Sequence, residues 1–144
     1  ITYSQFYNIL YTNHCINEPK YVALLEEADE CQVLYNDEQN NLYAGIYWLG
    51  YKATITFPRE FIELVITRSN DNDSNELRSF IIISKPIKTS PLLKYNRNGY
   101  IYGKYNAYEL VEEKWDDRKK KKYIEWTTIR QSSAGGWIPS FLSD

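Results

Sequence analysis

The chain has 144 residues, a near-balanced charge of −2 and 16% aromatic residues, with 14 tyrosines against 5 phenylalanines and 4 tryptophans. That length suits one domain over residues 1–144. The slight acidity excludes the clustered basic surface on which nucleic-acid binders depend, and no apolar run is long enough to span a bilayer as a helix. The chain opens on Ile with no signal-peptide pattern and holds no Met, so it reads as a piece of a longer protein.

In chain order, Tyr3, Phe6, Ile9 and Leu10 follow helical spacing and predict a one-sided helix over residues 3–13, capped by Thr2 or Ser4. His14, the one histidine, adjoins Cys15. Neighbours on a helix point about 100° apart, so the two read as ordinary helix residues and not as a thiol–imidazole pair. Asn17-Glu18-Pro19 ends the first helix, and Pro19 suits the first turn of a second. Tyr21, Val22, Leu24, Leu25 and Ala28 carry that second helix to about Asp29. No basic face accompanies the pair, which excludes DNA reading.

From Cys31 the period changes. Two cysteines are too few for a secreted disulfide framework, and neither has zinc-ligand spacing around it. Both are expected reduced, in a cytosolic protein. Gln32–Tyr35 reads as a strand, Asn36–Asn41 as a polar turn, and Leu42–Leu49 as the return strand. Gly50 allows a bend, and Lys52–Phe57 extends the chain towards Pro58, which starts a short helical turn. Arg59–Thr67 fits two patterns: Phe61, Leu64 and Val65 have helical spacing, whereas Leu64–Thr67 favours a strand. Asn70–Glu76 is polar and reads as a mobile loop.

Ser79–Ile87 is the strongest predicted strand, apolar enough for burial on both faces. Pro86 and Pro91 bracket a loop, and Asn98-Gly99 turns into a Tyr-rich strand over Tyr100–Val111. Glu112–Lys122 is a charged connector and Tyr123–Gln131 the last strand. Gly135 and Gly136 free the backbone before Trp137. Two helices followed by long antiparallel strands define an α+β domain.

Several segments together resemble a known superfamily. They are Tyr3, Phe6, Leu10, His14, Glu18 and Tyr21; then Pro58, Arg59, Phe61 and Leu64; then Phe80–Ser84 before Pro86; and finally Gly136, Ile138 and Pro139. Their order is similar to that of the START-like, or Bet v 1-like, helix-grip superfamily, nearest to a fungal branch of uncharacterised START-like domains. The resemblance covers residues from about Tyr3 to Leu142. It implies a curved antiparallel sheet with helices on its concave side, a turn at Arg59–Glu60, and an internal cavity for a lipid or sterol. It carries no shared catalytic machinery and no cofactor. Where the family usually has Asp after the arginine, this chain has Glu60. The family's first helix and strands, and its C-terminal lid helix, lie outside the 144 residues.

Strand alternation selects the residues that would line such a cavity. With Lys85 facing solvent beside Ile81 and Ile83, the strand turns Phe80, Ile82 and Ser84 inward. With Lys104 outward beside Tyr100 and Tyr102, the next turns Ile101, Gly103 and Tyr105 inward. With Glu125 outward, the last turns Ile124, Trp126, Thr128 and Arg130 inward. Ser84, Tyr105, Thr128 and Arg130 would be the polar handles for a headgroup; the alternative is that all of these fill an ordinary core. Arg59 is read either as a headgroup contact or as a structural group held by Glu60, Glu63 or backbone. The basic run Arg118–Lys122, with Lys119, Lys120 and Lys121 at its centre, is either a solvated connector balanced by nearby acids or a contact to anionic lipid. Trp115 and Trp137 suit a membrane interface or the core.

The leading expectation is a non-enzymatic lipid or sterol carrier or sensor, cytoplasmic with peripheral and transient membrane contact. The alternative is a protein-interaction module with a filled shell. A cyclase- or hydrolase-like enzyme ranks last: His14 looks misplaced for it, and Tyr105 and Glu109 are the remaining proton-transfer candidates.

Overall fold

A computed structural model of the chain describes residues 2–52, 57–70, 77–87 and 99–133. A short helical segment leads into a seven-stranded, mainly antiparallel sheet, so the domain is α+β. The segment comprises α1 (Tyr3–Phe6), a π-helical turn over Tyr7–Tyr11, α2 (His14–Asn17) and a 3₁₀ turn over Glu18–Lys20. The strands are β1 (Leu25–Asp37), β2 (Leu42–Tyr51), β3 (Arg59–Asn70), β4 (Ser79–Pro86), β5 (Ile101–Tyr102), β6 (Lys104–Asp116) and β7 (Lys121–Ser133). They lie in the order β1-β2-β3-β4-β6-β7, with β5 beside β3.

Thr2 starts the helical segment with a capping box: its hydroxyl accepts from the Gln5 amide and the Gln5 side chain accepts from the Thr2 amide. Asn13, in the left-handed region at φ 47°, breaks the run before His14. Pro19 does open a turn, but that turn ends at Lys20. The second helix expected to about Asp29 does not form. Leu25–Asp37 is one long strand, in which Leu25 pairs with Tyr51 and Ala28 with Leu49. Register shifts between Leu25 and Glu27, and again near Cys31 and Leu34, break the period of two. That irregularity mimics helical spacing, and the sheet's hydrogen bonds override the weak local preference.

The ambiguous stretch after Pro58 is a strand throughout. Arg59 and Glu60 are not a turn; they pair with Tyr51 and Gly50 on β2. The Tyr-rich strand is broken in two at Gly103. The Ile101 amide donates to the Pro58 carbonyl and the Gly103 amide to the Glu60 carbonyl, both at 2.8 Å, so β5 runs parallel to β3. β6 then crosses to β4, where Ala107 faces Ser84. The charged connector contracts to a turn over residues 117–120, because β6 and β7 stay paired to Asp116 and Lys121. The expected loop at 71–76, the stretches 53–56 and 88–98, and the whole Gly135–Leu142 segment with Trp137 lie outside the described residues.

The two sheet faces bury different groups. One face carries Leu49, Phe61, Val65, Phe80, Ile82 and Val111, and the helical segment covers it with Tyr3 and Leu10. Phe80 sits at the centre, with Tyr3, Tyr7 and Tyr11 rings at centroid distances of 5.7, 5.9 and 5.3 Å. The other face buries Ile46, Trp48 and Ile62, with Tyr100 and Tyr102 packed over them. These two tyrosines do point away from Tyr105, as alternation predicts, but they cover a second small core instead of standing in water.

Arg78 ties the helical segment to the sheet. Its Nε donates to Glu113 Oε1 at 2.7 Å, its Nη2 to Oε2 at 3.2 Å, and its guanidinium lies 4.5 Å from the Tyr3 ring centre. Arg78 holds the Glu113 carboxyl below the usual glutamate range. Glu113 therefore stabilises the fold above that range and loses its contribution as pH falls through its lowered pKa. Arg78→Ala is expected to cost about 1–3 kcal/mol, the range of charge-assisted hydrogen bonds, and to flatten the acid arm of a urea-denaturation series. An unchanged acid arm would remove this pair from the account.

Candidate functional site

The residues selected by alternation do not converge on one cavity. Phe80 and Ile82 are core residues, Ser84 is buried beside them, and Tyr105 packs its ring against Phe61 at 5.3 Å. Ile101 is half-buried next to Arg59. Arg59 is buried and donates to the Phe57 carbonyl, the backbone alternative among its readings. Trp126, Thr128 and Arg130 share the helix-covered face, opposite Val111, Glu109 and Ala107, but β7 is the last strand of the sheet and all three stay exposed. Trp126 packs edge-to-face with Phe6, at a centroid distance of 5.7 Å. Lys119, Lys120 and Lys121 sit at the exposed β6–β7 hairpin, where Asp116 Oδ1 accepts from the Arg118 and Lys119 amides.

A different pocket lies where the helical segment meets the β1–β2 hairpin. It has a volume of about 290 Å³, and its walls include Tyr7, Tyr11, Tyr43, Tyr47, Val65 and Thr67. Tyr11 fixes one side by donating to the Asn41 carbonyl at 3.2 Å. On the other, the Tyr43 and Tyr47 hydroxyls are 2.7 Å apart, and Tyr47 reaches Glu30 at 3.4 Å. The Tyr43 ring lies flat along Gly45, where an added Cβ would come within 2.3 Å of its hydroxyl. A glycine there is what lets the ring lie against the sheet. Burial raises the pKa of both tyrosines, so both stay protonated donors.

His14 and Cys15 also line this pocket, and behind them lies a buried ionisable centre. His14 Nδ1 is 2.6 Å from the Leu10 carbonyl, and its Nε2 is 3.0 Å from Glu18 Oε1, with both side chains buried. Burial works against the imidazolium, but Glu18, Glu109 and the Leu10 carbonyl raise its pKa overall. Cys15 is fully buried, and burial together with Glu18, Glu63 and Glu109 pushes its thiol well up. Glu109 on β6 binds Arg130 at 3.1 Å through one oxygen, while its other oxygen has no hydrogen-bond partner among the described residues. Glu63 on β3 is wholly buried and has no side-chain partner among the described residues; burial, with Glu18, moves its pKa up to about 8 against the opposing effect of the Tyr105 amide. Glutamates are almost never buried without partners, so this cluster is the chemically unusual part of the molecule.

Comparison with protein families yields a match over residues 1–144 to the family described as protein of unknown function (DUF3074). The chain belongs to the DUF3074 family. A comparison with curated proteins gives no match. No helix among the described residues of this DUF3074 domain is long and apolar enough to cross a membrane.

Alternation carries the information needed to find Glu63 and Glu109 in this domain. Tyr105 inward makes Glu109 inward four residues on, and Phe61 and Val65 inward make Glu63 inward between them. Sequence reasoning names Glu109 only as a remaining proton-transfer candidate and Glu63 only as a possible partner of Arg59, because carboxylates are expected in water. The geometry of a regular helix argues against a role for His14, but α2 is a single short turn and Glu18 gathers both His14 and Cys15 towards itself.

Proposed function

We propose that this DUF3074 domain binds a hydrophobic or amphipathic ligand, a lipid or sterol, between its helical segment and the sheet, for transfer or sensing inside the cell. The observation that carries this reading is the tyrosine-walled pocket, in which four tyrosine rings, Leu42 and Val65 meet a larger set of polar groups. Its 290 Å³ lies at the lower end of about 300–1,000 Å³ for small-molecule sites, enough for part of a lipid. The START-like resemblance and helices lying on one face of an antiparallel sheet support the same reading. On this reading the ligand contacts are Tyr7, Tyr11, Val65 and Thr67, with the paired hydroxyls of Tyr43 and Tyr47 as the polar handle. Phe80, Ile82 and Tyr105 pack in the core and are not part of this pocket's wall. Peripheral membrane contact through Lys119, Lys120 and Lys121 belongs to the same proposal.

The test is native mass spectrometry of the protein from a eukaryotic host, with organic extraction, followed by uptake from phosphatidylcholine–cholesterol vesicles. One lipid per chain is expected. Thr67→Trp, which fills the pocket from its sheet side, should lower uptake at least tenfold without a large fall in melting temperature. A second reading, a protein-interaction module, has its own observation. Val33, Leu34 and Tyr35 on edge strand β1, and Tyr123 and Ile129 on edge strand β7, are exposed. An empty protein that takes up nothing from the vesicles, or a Thr67→Trp variant with undiminished uptake, would overturn the pocket reading, and the first would favour this one.

A further inference from the structure

His14, Cys15 and Glu18 bring an imidazole nitrogen, a sulfur and a carboxylate oxygen within 4.8 Å of one another, all buried. Glu18 follows Cys15 by three residues and His14 by four, the two spacings that place side chains together on one helical turn. The set lies partly open, since His14 and Cys15 form part of the pocket wall. From this geometry we infer that the three side chains form a binding site for a divalent cation of the zinc class, with an open position towards the pocket.

The donor types fit that class. Imidazole, thiolate and carboxylate are the ligands zinc takes, at about 2.0–2.3 Å, and three protein ligands plus one open position mark sites that hold an exchangeable ligand. Such bond lengths put tetrahedral ligands about 3.3–3.8 Å apart. The His14–Glu18 separation of 3.0 Å is close to this, and the outer limit of 4.8 Å requires a movement of about 1 Å. The histidine is already oriented. The Leu10 carbonyl, 2.6 Å from Nδ1, accepts the Nδ1 proton and leaves Nε2 facing Glu18. A backbone carbonyl on the other ring nitrogen is the usual support of a metal-bound histidine.

A second, independent observation points to a cation. Glu63 is wholly buried with no side-chain partner among the described residues, the Tyr105 amide alone favouring its charged form, and one oxygen of Glu109 is buried without a hydrogen bond among them. Both act electrostatically on Cys15. Two buried carboxyl groups, Glu63 and Glu109, therefore act on a trio that holds a third in Glu18, and the Arg130 guanidinium that pairs with Glu109 is 57% exposed. A bound divalent cation supplies the missing positive charge. On binding, Cys15 loses its proton to solvent, the proton shared between His14 Nε2 and Glu18 Oε1 leaves as well, and that direct contact is replaced by two bonds to the metal. The site stands whether or not the pocket holds a lipid.

The test uses the full chain stripped of metal and titrated with Zn²⁺ and, separately, Co²⁺. One Zn²⁺ per chain is expected by native mass spectrometry. With Co²⁺, the near-ultraviolet thiolate charge-transfer band and intense visible bands of a tetrahedral site are expected. Cys15→Ser should lose the charge-transfer band, and Glu18→Gln should weaken Zn²⁺ by more than the 10–100-fold typical of supporting residues. Cys31→Ser should change neither. The Co²⁺ spectrum of the unaltered chain needs no variant to fold. Absence of stoichiometric uptake, a Co²⁺ complex without a thiolate band, or equal effects of Cys15→Ser and Cys31→Ser would each overturn the site.

Discussion

Phe80→Ala is expected to lower the stability of this domain by about 3–5 kcal/mol, the range for emptying a fully buried aromatic position. The side chain is 1% exposed and lies under three tyrosine rings from the helical segment. Two effects add. The lost ring forfeits its own burial and its edge-to-face contacts, each of about 0.5–1.5 kcal/mol beyond area. The cavity left behind cannot close easily, because Tyr3, Tyr7 and Tyr11 come from an irregular segment of short turns with little helical stability of its own. That segment holds its place through the side chains it lays on the sheet. Against a typical total of about 5–15 kcal/mol, the variant should be near its folding threshold, with a much lower urea midpoint. Ile81→Ala, on the opposite face of β4 and half-buried, should cost clearly less. Equal costs for the two would mean that the helical segment does not rest on this face.

The strand phases of β4 and β7 are legible in the sequence once Lys85 and Glu125 are set facing water. Lys85 sets the phase that buries Phe80, Ile82 and Ser84, and Glu125 sets the phase of Trp126, Thr128 and Arg130. What alternation cannot report is a strand's place in the sheet. The same parity buries Ile82 in central β4 and leaves Thr128 and Arg130 exposed on edge strand β7. Parity also says nothing of what lies over a face, so Tyr100 and Tyr102, turned outward, cover Trp48. The expected second helix fails for a related reason: β1's register shifts destroy the two-residue period from which a strand is recognised.

The site is harder to read than the fold because its signal is a violation. Five glutamates are buried among the described residues, and four have a side-chain partner that explains them: His14 for Glu18, Trp48 Nε1 at 2.7 Å for Glu60, Arg130 for Glu109 and Arg78 for Glu113. None of these partners is near its glutamate in sequence except His14, so only Glu18 is open to recognition from spacing. Long-range pairing is decided by strand order, and strand order here depends on the β5–β6 break at Gly103. The fifth glutamate, Glu63, has no such partner among the described residues, and its consequence is a pH effect.

Glu63→Gln is expected to remove most of a loss of stability that the unaltered domain shows as pH rises. The Glu63 carboxyl moves from 4.5 to about 8 on burial, so the folded state holds a proton that the unfolded state releases. A group with a raised folded pKa stabilises fully below its unfolded pKa and loses that contribution as pH rises through the folded value. The window is therefore about pH 4.5 to 8. At about 1.4 kcal/mol per unit, the whole shift corresponds to a loss on the order of 5 kcal/mol. The Arg78–Glu113 pair works in the opposite sense on the acid side, so the two together confine maximum stability to mildly acidic pH. The glutamine variant keeps the size and polarity of the side chain but cannot ionise. It should match the unaltered domain near pH 5 and exceed it by several kcal/mol near pH 9, leaving the smaller fall that the raised His14 pKa imposes, in urea denaturation at fixed ionic strength. Zn²⁺ bound beside Glu63 would favour its anion and shrink the same slope, so the series run with and without metal also reads the charge balance of the centre. A slope undiminished in the variant would show that the folded domain gives the Glu63 carboxylate water or a partner, and that its ionisation is not what the fold resists.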